Sequence, residues 1–404
     1  MKSVLVLGGG TYYVRAIERV RAAGYRTVVV DRDPAAPGLV AADVAHVVDI
    51  ADPAGVLEVA RREAVDAVLP LNDFGVRSAA RVADALGLRG LTPRTAELAN
   101  DKGLMRKQWE RDGLPQPAFR VVGTWDEARA AAEGIGFPVA VKPTDCGGGG
   151  RGVSVVHEAG ELEWAWNFAH PFAANGRIVV EAYVDGTELT VETISRDGAV
   201  HVLAVSDKIK PPLRTRVATS LQYPAALTGA MRAAVGSLTR DAVSSIGITD
   251  GPSHLEMIVG DDGLRLLELG ARGGGGHVFS TIVEATSGVD MVRESVRVLA
   301  GDEADLQVRR REGCVYRLFT PTDGIVRAIH GVEEARSLPG VIDLGVTRKP
   351  GDVLGGLVDS LQRSGFAVVV GRDREQAIDR ADAVARTIQF ELEPLREGDL
   401  SRHA

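Results

Sequence analysis

Residues 253–272 read Ser253-His-Leu-Glu-Met-Ile-Val-Gly-Asp-Asp-Gly-Leu-Arg-Leu-Leu-Glu-Leu-Gly-Ala-Arg272. Two apolar-rich runs flank Asp261-Asp262-Gly263, which suits a three-residue hairpin loop with Gly263 in the left-handed position. Pairing Gly260 with Leu264 fixes the register, and counting back along both strands sets Glu256 opposite Glu268. Like charges facing each other across a ladder, roughly 5 Å apart at Cβ, are destabilising unless a cation lies between them. Magnesium is the obvious candidate. His254 shares the parity of Glu256, and Arg272 that of Glu268, so a continuing strand points all four to one face. Two carboxylates, a cation and a neighbouring arginine are what a phosphoryl-transfer site requires. The competing reading is a surface hairpin, slipped by one residue, with both glutamates solvated.

A phosphate cradle lies upstream. Val139-Ala-Val-Lys142-Pro-Thr-Asp-Cys146-Gly-Gly-Gly-Gly150-Arg-Gly152-Val-Ser-Val-Val156 puts a lysine at the end of one strand, then a glycine loop, then a second strand. Backbone without side chains lets several N–H groups approach phosphate oxygens, and Lys142 adds positive charge. A Walker A loop is excluded, because there the lysine follows the glycines and a helix comes next. A flexible hairpin loop is the alternative, yet four consecutive glycines cost considerable folding entropy.

The N-terminus carries a third glycine turn, Leu5-Val-Leu-Gly8-Gly-Gly10-Thr-Tyr-Tyr13. It follows a strand and opens a helix, as a dinucleotide fingerprint does, but Tyr13 stands where the third small residue belongs. A tight turn with Asp31 capping the next segment, or an anion at the helix N-terminus, fits at least as well. Strands are expected at Val4–Leu7, Thr27–Val30, Val44–Val48 and Ala67–Leu69, alternating with helices at Tyr12–Ala23, Pro53–Glu63 and Gly75–Leu86. That alternation is a parallel βαβ sheet. After Leu91-Thr-Pro-Arg-Thr95 a helix is expected over Asp101–Asp112, and from Val139 strands joined by glycine turns imply antiparallel α+β structure. Beyond Arg309-Arg310-Arg311, strands Val315–Phe319 and Ala367–Val370 precede a helix over Glu375–Ile388.

Composition sets the remaining bounds. The chain has 404 residues, 45% hydrophobic and 25% charged, which excludes a disordered chain or a fibre. Its net charge of −8 has the wrong sign for a general nucleic-acid or anionic-membrane binder. Cys146 and Cys314, the only two cysteines, have no CxxC partners, so neither a disulfide framework nor a zinc cluster is expected. No run approaches the roughly 18 apolar residues of a membrane span, and a reducing, cytoplasmic setting is expected.

Together these residues resemble the ATP-grasp superfamily of carboxylate–amine ligases, most closely its L-amino-acid ligase branch. The resemblance covers nearly the whole chain. It implies a parallel α/β N-terminal domain over 1–93, α+β ATP-grasp domains over 94–310 with a lid subdomain at about 115–182, and a small α+β C-terminal domain over 311–404. Lys102 in Asn-Asp-Lys matches the first ATP lysine and Lys142 the second. Cys146, Gly147, Gly148, Gly149, Gly150 and Gly152 match the glycine lid over the phosphates. In Ile178-Val-Val-Glu181-Ala-Tyr-Val-Asp-Gly-Thr-Glu188, Glu181 matches the residue receiving the adenine amino group and Glu188 the one receiving the ribose hydroxyls. Ala182, Tyr183 and Val184 would supply backbone to the adenine edge. Glu256 and Glu268 match the ligands of Mg2+ (or Mn2+), and Arg272 the arginine of the acyl-phosphate step. Many members have Glu-x-Asn where this chain has Glu268-Leu-Gly270, so water or phosphate oxygen must complete the metal's shell.

The resemblance further implies small-molecule carboxylate and amine substrates and a homodimer. His254, Lys208, Gly274 and His277 are the candidate substrate residues. Lys208 and Lys210 lie in Ser206-Asp-Lys-Ile-Lys-Pro-Pro212, which reads as a polar, solvated loop. The C-terminal segments Thr322–Gly331 and Arg363–Asp373 also look like the amino-acid ligase branch. The expected reaction joins an acid to an amine through an acyl phosphate, with release of ADP and phosphate. Alternatives are an ATP-dependent carboxylase or purine-biosynthesis relative, a silent ATP-binding module, and, weakest, a NAD-dependent dehydrogenase.

Overall fold

The computed structural model describes residues 1–145 and 147–395. They form two compact units. The first comprises Met1–Ala118, Val184–Val205 and Leu227–Arg310, and the second comprises Phe119–Tyr183, Ser206–Ala226 and the chain from Arg311 onwards.

The first unit begins with the expected parallel sheet, in the order Val44–Val47, Arg26–Asp31, Ser3–Leu7, Ala67–Pro70. The apolar runs are strands buried on both faces: on one, Leu5, Leu7, Val28, Val30 and Val68 share a core with Val56, Val59, Ala79 and Val82 from two helices, and on the other Val4, Val6 and Val29 are fully buried. Those helices, Pro53–Arg62 and Asp73–Leu86, start where Asp52 and Asn72 accept main-chain N–H groups with their side chains. Asp101 does the same for Lys102–Arg111. The glycine turn after the first strand is closed from within. Gly9 N donates to Asp31 Oδ2 at 2.7 Å, and Asp33 N to Asp31 Oδ1 at 2.9 Å, so Asp31 holds the turn as a cap. Arg19–Asp290 (2.7 Å) and Lys2–Asp302 (2.7 Å) join this sheet's surroundings to the later part of the unit.

That later part is an antiparallel sheet in which Gly251–Gly260 lies between Thr187–Arg196 and Gly263–Gly270. The hairpin corrects the sequence reading in one detail. Gly260 pairs with Gly263, so the turn has two residues, Asp261 and Asp262, instead of three. On that register alone Glu256 would miss Glu268. A bulge at Leu267 shifts the ladder by one residue between Met257↔Leu266 and Glu256↔Glu268, and the expected opposition is restored. Arg106, buried in the helix Lys102–Arg111, donates to Leu266 O at 2.5 Å, while Leu266 N donates to Pro115 O at 2.9 Å, pinning the strand beside the bulge.

In the second unit, a four-stranded antiparallel sheet runs in the order Phe119–Val122, Ile178–Ala182, Val139–Pro143, Ser154–Val156. The helices Trp125–Ile135 and Leu162–Ala169 pack on one face, with Val139, Val141, Val156, Ile178 and Val180 against Ala128, Ala132 and Ala165. A capping box between Thr124 and Glu127 starts the first of them. The C-terminal strands Gly313–Phe319 and Gly365–Gly371 and the helix Arg374–Thr387 lie close to the expected positions, and a further strand, Val341–Val346, which was not expected, pairs with Gly365–Gly371. No helix among the described residues is long and apolar enough to cross a membrane.

Cys314 is completely buried in the strand Gly313–Phe319, and burial pushes its thiol up to about 12. Because the thiolate is the reactive form, a Cys146→Ser variant should leave a thiol reagent unconsumed at pH 8 while native. One thiol should then titrate in denaturing urea. Rapid labelling of the native variant would contradict this burial.

Candidate functional site

In the first unit, four strand positions meet on one face. His254 lies opposite Glu192 and Gly270, and Glu256 lies opposite Thr190 and Glu268. The facing carboxylates are each matched to a cationic group of the protein. Lys102 Nζ, buried at the start of its helix, lies 2.9 Å from Glu268 Oε1. His254 Nε2 lies 3.3 Å from Glu256 Oε1, while its Nδ1 lies 2.5 Å from Glu192 Oε1. Burial alone would lower the histidine's pKa, but the Glu192 and Glu256 carboxylates outweigh it and raise it to about 9. His254 is thus held as a protonated link between two glutamates.

Glu192 is fully buried and was not singled out from the sequence. Its other oxygen accepts the Gly274 N–H at 3.1 Å, and a Cβ on Gly274 would lie 2.8 Å from Glu192 Oε1. Gly274 therefore lets the loop after Arg272 approach a carboxylate that a side chain would block. A signal was present: Glu188, Thr190 and Glu192 alternate with Leu189 and Val191, a polar face within a buried strand. Glu188 itself is buried, opposite Ile258. Val184 packs at Gly260, where an added Cβ would lie 3.1 Å from Val184 Cγ1.

Arg272 follows the strand Gly263–Gly270 and bonds Asp73 through Nη2–Oδ2 at 3.0 Å and Gly273 O through Nη1 at 3.1 Å. Burial disfavours both charges, but each ion outweighs it for the other: Asp73's carboxyl is held below its ordinary range and Arg272's pKa is raised. Asp73 is the second group that sequence reading missed, since a strand-to-helix junction in the first sheet gives no hint of a partner 199 residues away. His277 lies nearby in sequence with its ring 5.8 Å from Tyr12, in edge-on contact.

The second unit holds the other predicted residues. Lys142 Nζ forms an ion pair with the buried Glu181, whose residue faces Ala140 across the ladder. Gly147, Gly148, Gly149, Gly150 and Gly152 all have φ between 66° and 78°, a conformation that side chains disfavour, which explains why the loop is glycine. Cys146 lies outside the described residues. Ala182 pairs with Val139, and Tyr183 N donates to Pro138 O at 3.0 Å; the Tyr183 ring has the Arg216 guanidinium 5.8 Å from its centroid. Lys208 departs from expectation. It belongs to the strand Ala199–Ile209, paired with Leu221 and half-buried, because Arg374 anchors the neighbouring Asp207 at 2.6 Å; only Lys210 lies past the strand's end.

Among the described residues, no group of three or more His, Cys, Asp and Glu is arranged to hold a metal ion. The donor set of Glu256 and Glu268 nonetheless fits magnesium, which takes one or two carboxylates and completes its octahedron with water and substrate phosphate.

Three family models match successive stretches: a PylC-like N-terminal domain over residues 4–85, the ATP-binding domain of the carbamoyl-phosphate synthase L chain over 101–307, and the L-amino acid ligase C-terminal domain 2 over 317–393. A formate-dependent phosphoribosylglycinamide formyltransferase of Rhodococcus jostii is 27% identical over 96% of this chain and 94% of its own. Among solved structures, the L-amino acid ligase from Bacillus licheniformis superposes with a TM-score of 0.85 at 23% identity, covering 98% of this chain and 99% of that one. The biotin carboxylase domain of Hydrogenobacter thermophilus 2-oxoglutarate carboxylase, solved with MgADP and bicarbonate, gives 0.74 at 22% identity over 97% of this chain and 91% of that one.

The raised pKa of His254 makes the Glu192 link a source of stability below the unfolded histidine's pKa of 6.5, lost as pH rises through about 9. In Glu192→Gln, the His254 pKa should fall towards the ordinary range, read by imidazole NMR of the ligand-free protein. Unfolding free energy should drop by about 1–3 kcal/mol at pH 7, and the deficit should narrow above pH 9. An unmoved His254 titration would refute the link.

Proposed function

The chain belongs to the ATP-grasp ligases, and from that premise we propose that it joins the carboxylate of an amino acid to an amine through an acyl phosphate. The placement of Glu256, Glu268 and Arg272 on one hairpin and its following loop is the observation that carries this reading. Nucleotide binding alone has no need of the arginine. In the first step a substrate carboxylate oxygen attacks the γ-phosphorus of ATP, the bond to the β,γ-bridging oxygen breaks, and ADP leaves. In the second an amine attacks the acyl carbon, phosphate departs, and the amine's proton is lost as the amide forms.

The electrostatic difficulty is that an anion must approach a polyanion. Arg272 offers the planar donor array that suits a transferring phosphoryl group, and Lys142 adds a second positive charge. The left-handed glycines from Gly147 to Gly152 present backbone N–H groups for phosphate oxygens and exclude water that would hydrolyse the acyl phosphate. We assign Lys102, Lys142, Glu181, Glu188 and the Ala182–Val184 backbone to ATP. His254, Lys208, Gly274 and His277 are assigned to the substrate side. Glu256 and Glu268 would hold magnesium, which supplies charge neutralisation for the phosphates. No side chain is needed as general base if the amine arrives neutral. The chain is divided accordingly into an N-terminal domain over 1–93, ATP-grasp domains over 94–310 and a C-terminal domain over 311–404.

The amino-acid branch is favoured by the C-terminal match to the L-amino acid ligase model over 317–393. The formyltransferase of Rhodococcus jostii supports a second reading with the same acyl-phosphate chemistry, in which the acid is formate and the amine a phosphoribosyl glycinamide. Screening acid and amine pairs separates the two. Amino-acid ligation requires ADP and phosphate in equal amounts only when an amino acid and an amine are both present; turnover with formate selects the second reading, and AMP with pyrophosphate rules out both. Arg272→Ala should lower kcat at least about 100-fold while the Kd for ADP stays within about twofold. Equal loss of both would remove Arg272 from the chemical step.

A further inference from the structure

We propose that Asp73, a residue of the N-terminal parallel sheet's last helix, is the positioning residue of Arg272, so that this sheet takes part in phosphoryl transfer; the inference rests on the ligase reading above. The geometry is specific to the pair. Asp73 is the first residue of the helix Asp73–Leu86, immediately after the Asn72 cap, so its backbone is fixed by the helix start. Asn100 Nδ2 donates to Asp73 O at 2.7 Å, tying that backbone to a second helix. From this mount Asp73 Oδ2 receives Arg272 Nη2 at 3.0 Å, with both side chains largely removed from solvent.

The surroundings leave the arginine few alternatives. A Cβ on Gly270 would lie 3.1 Å from Arg272 Cζ and 3.2 Å from Asp73 Oδ1, so glycine is what lets the pair pass over the end of the strand. Nη1 is held by Gly273 O, and beyond it Gly274 is held by Glu192. A free arginine side chain samples many rotamers, and here two anchors on its own guanidinium remove that freedom before any substrate arrives. A guanidinium has five N–H donors. Two hold it in place, and the others remain for the anion it is to stabilise. Asp73's own negative charge near a phosphate is moderated by its position at a helix N-terminus, where the backbone carries partial positive charge.

The nearest rival role for Asp73 is helix initiation, and Asp73→Asn separates the two because Asn72 still caps the helix and asparagine keeps the shape. The measurements are kcat with the best acid–amine pair, Kd for ADP, and the guanidinium Nη resonances of Arg272, identified by their absence from Arg272→Lys. We expect kcat to fall about 10- to 100-fold, ADP affinity to stay within twofold, the slow-rotation Nη signals to collapse into an averaged one, and Asp73→Glu to recover part of kcat. In an Arg272→Ala background, Asp73→Asn should cause no further loss. Retention of kcat within twofold with unchanged Nη signals would overturn the proposal, as would an undiminished loss in the Arg272→Ala background. If no acid–amine pair turns over, the ligase reading fails by itself, and the Nη signals alone decide whether Asp73 positions the arginine.

Discussion

Two glutamates facing each other across an antiparallel ladder are the constraint from which the site is built. Glu256 and Glu268 repel, and the pairing persists because a positive group is set against each of them. Lys102 comes from a helix entering the unit and His254 from the same strand. Both cations are themselves drawn from water by burial, so each needs its own partner. His254 has Glu192, and the chain of charges thus runs from Glu192 through His254 to Glu256. Arg272 and Asp73 form a second pair beside it, linked to the first through the Gly273–Gly274 backbone. Alternation of sign is what allows so many ionised groups to share a small, poorly solvated region.

Glycine serves three different physical purposes in this chain. In the loop from Gly147 to Gly152 it supplies a succession of left-handed residues, a backbone shape that alanine would strain at every step. At Gly270 and Gly274 the need is space, since a methyl group would press on Arg272 and Asp73 in one case and Glu192 in the other. At Gly8–Gly10 it makes a turn that Asp31 closes from inside. A dinucleotide fingerprint with Tyr13 in its third position is therefore better understood as a turn with its own internal cap, Tyr13 being hydrogen-bonded to Asn72 and raised in pKa chiefly by burial.

Much of this was legible from residue order. The four parallel strands, the glycine loop between two strands, the opposed glutamates and the C-terminal helix all follow from local periodicity and turn chemistry, which act over a few residues. The hairpin is instructive because the opposition was right while the turn was not. A two-residue turn and a bulge at Leu267 together give the register that a three-residue turn alone would give. The bulge sits where Arg106 and Pro115 grip Leu266, contacts from residues some 150 positions away that no local rule contains. Lys208 shows the opposite failure: a polar, proline-flanked stretch reads as loop, yet its strand extends through Ile209 because Leu221 and Arg374 supply partners.

The sequence by itself determined which chemical groups are present and how each is spaced along its own strand or loop, because side-chain parity and glycine conformation are local properties. Tertiary structure decided which charges neutralise which. Asp73 and Glu192 are ordinary acidic residues in the sequence, at a helix start and in a strand, and they acquire their roles only when Arg272, His254 and Gly274 are brought against them. The physical reason is that a buried ion requires a counter-ion within a few ångströms, and proximity of that kind between residues far apart in the chain is a property of packing alone.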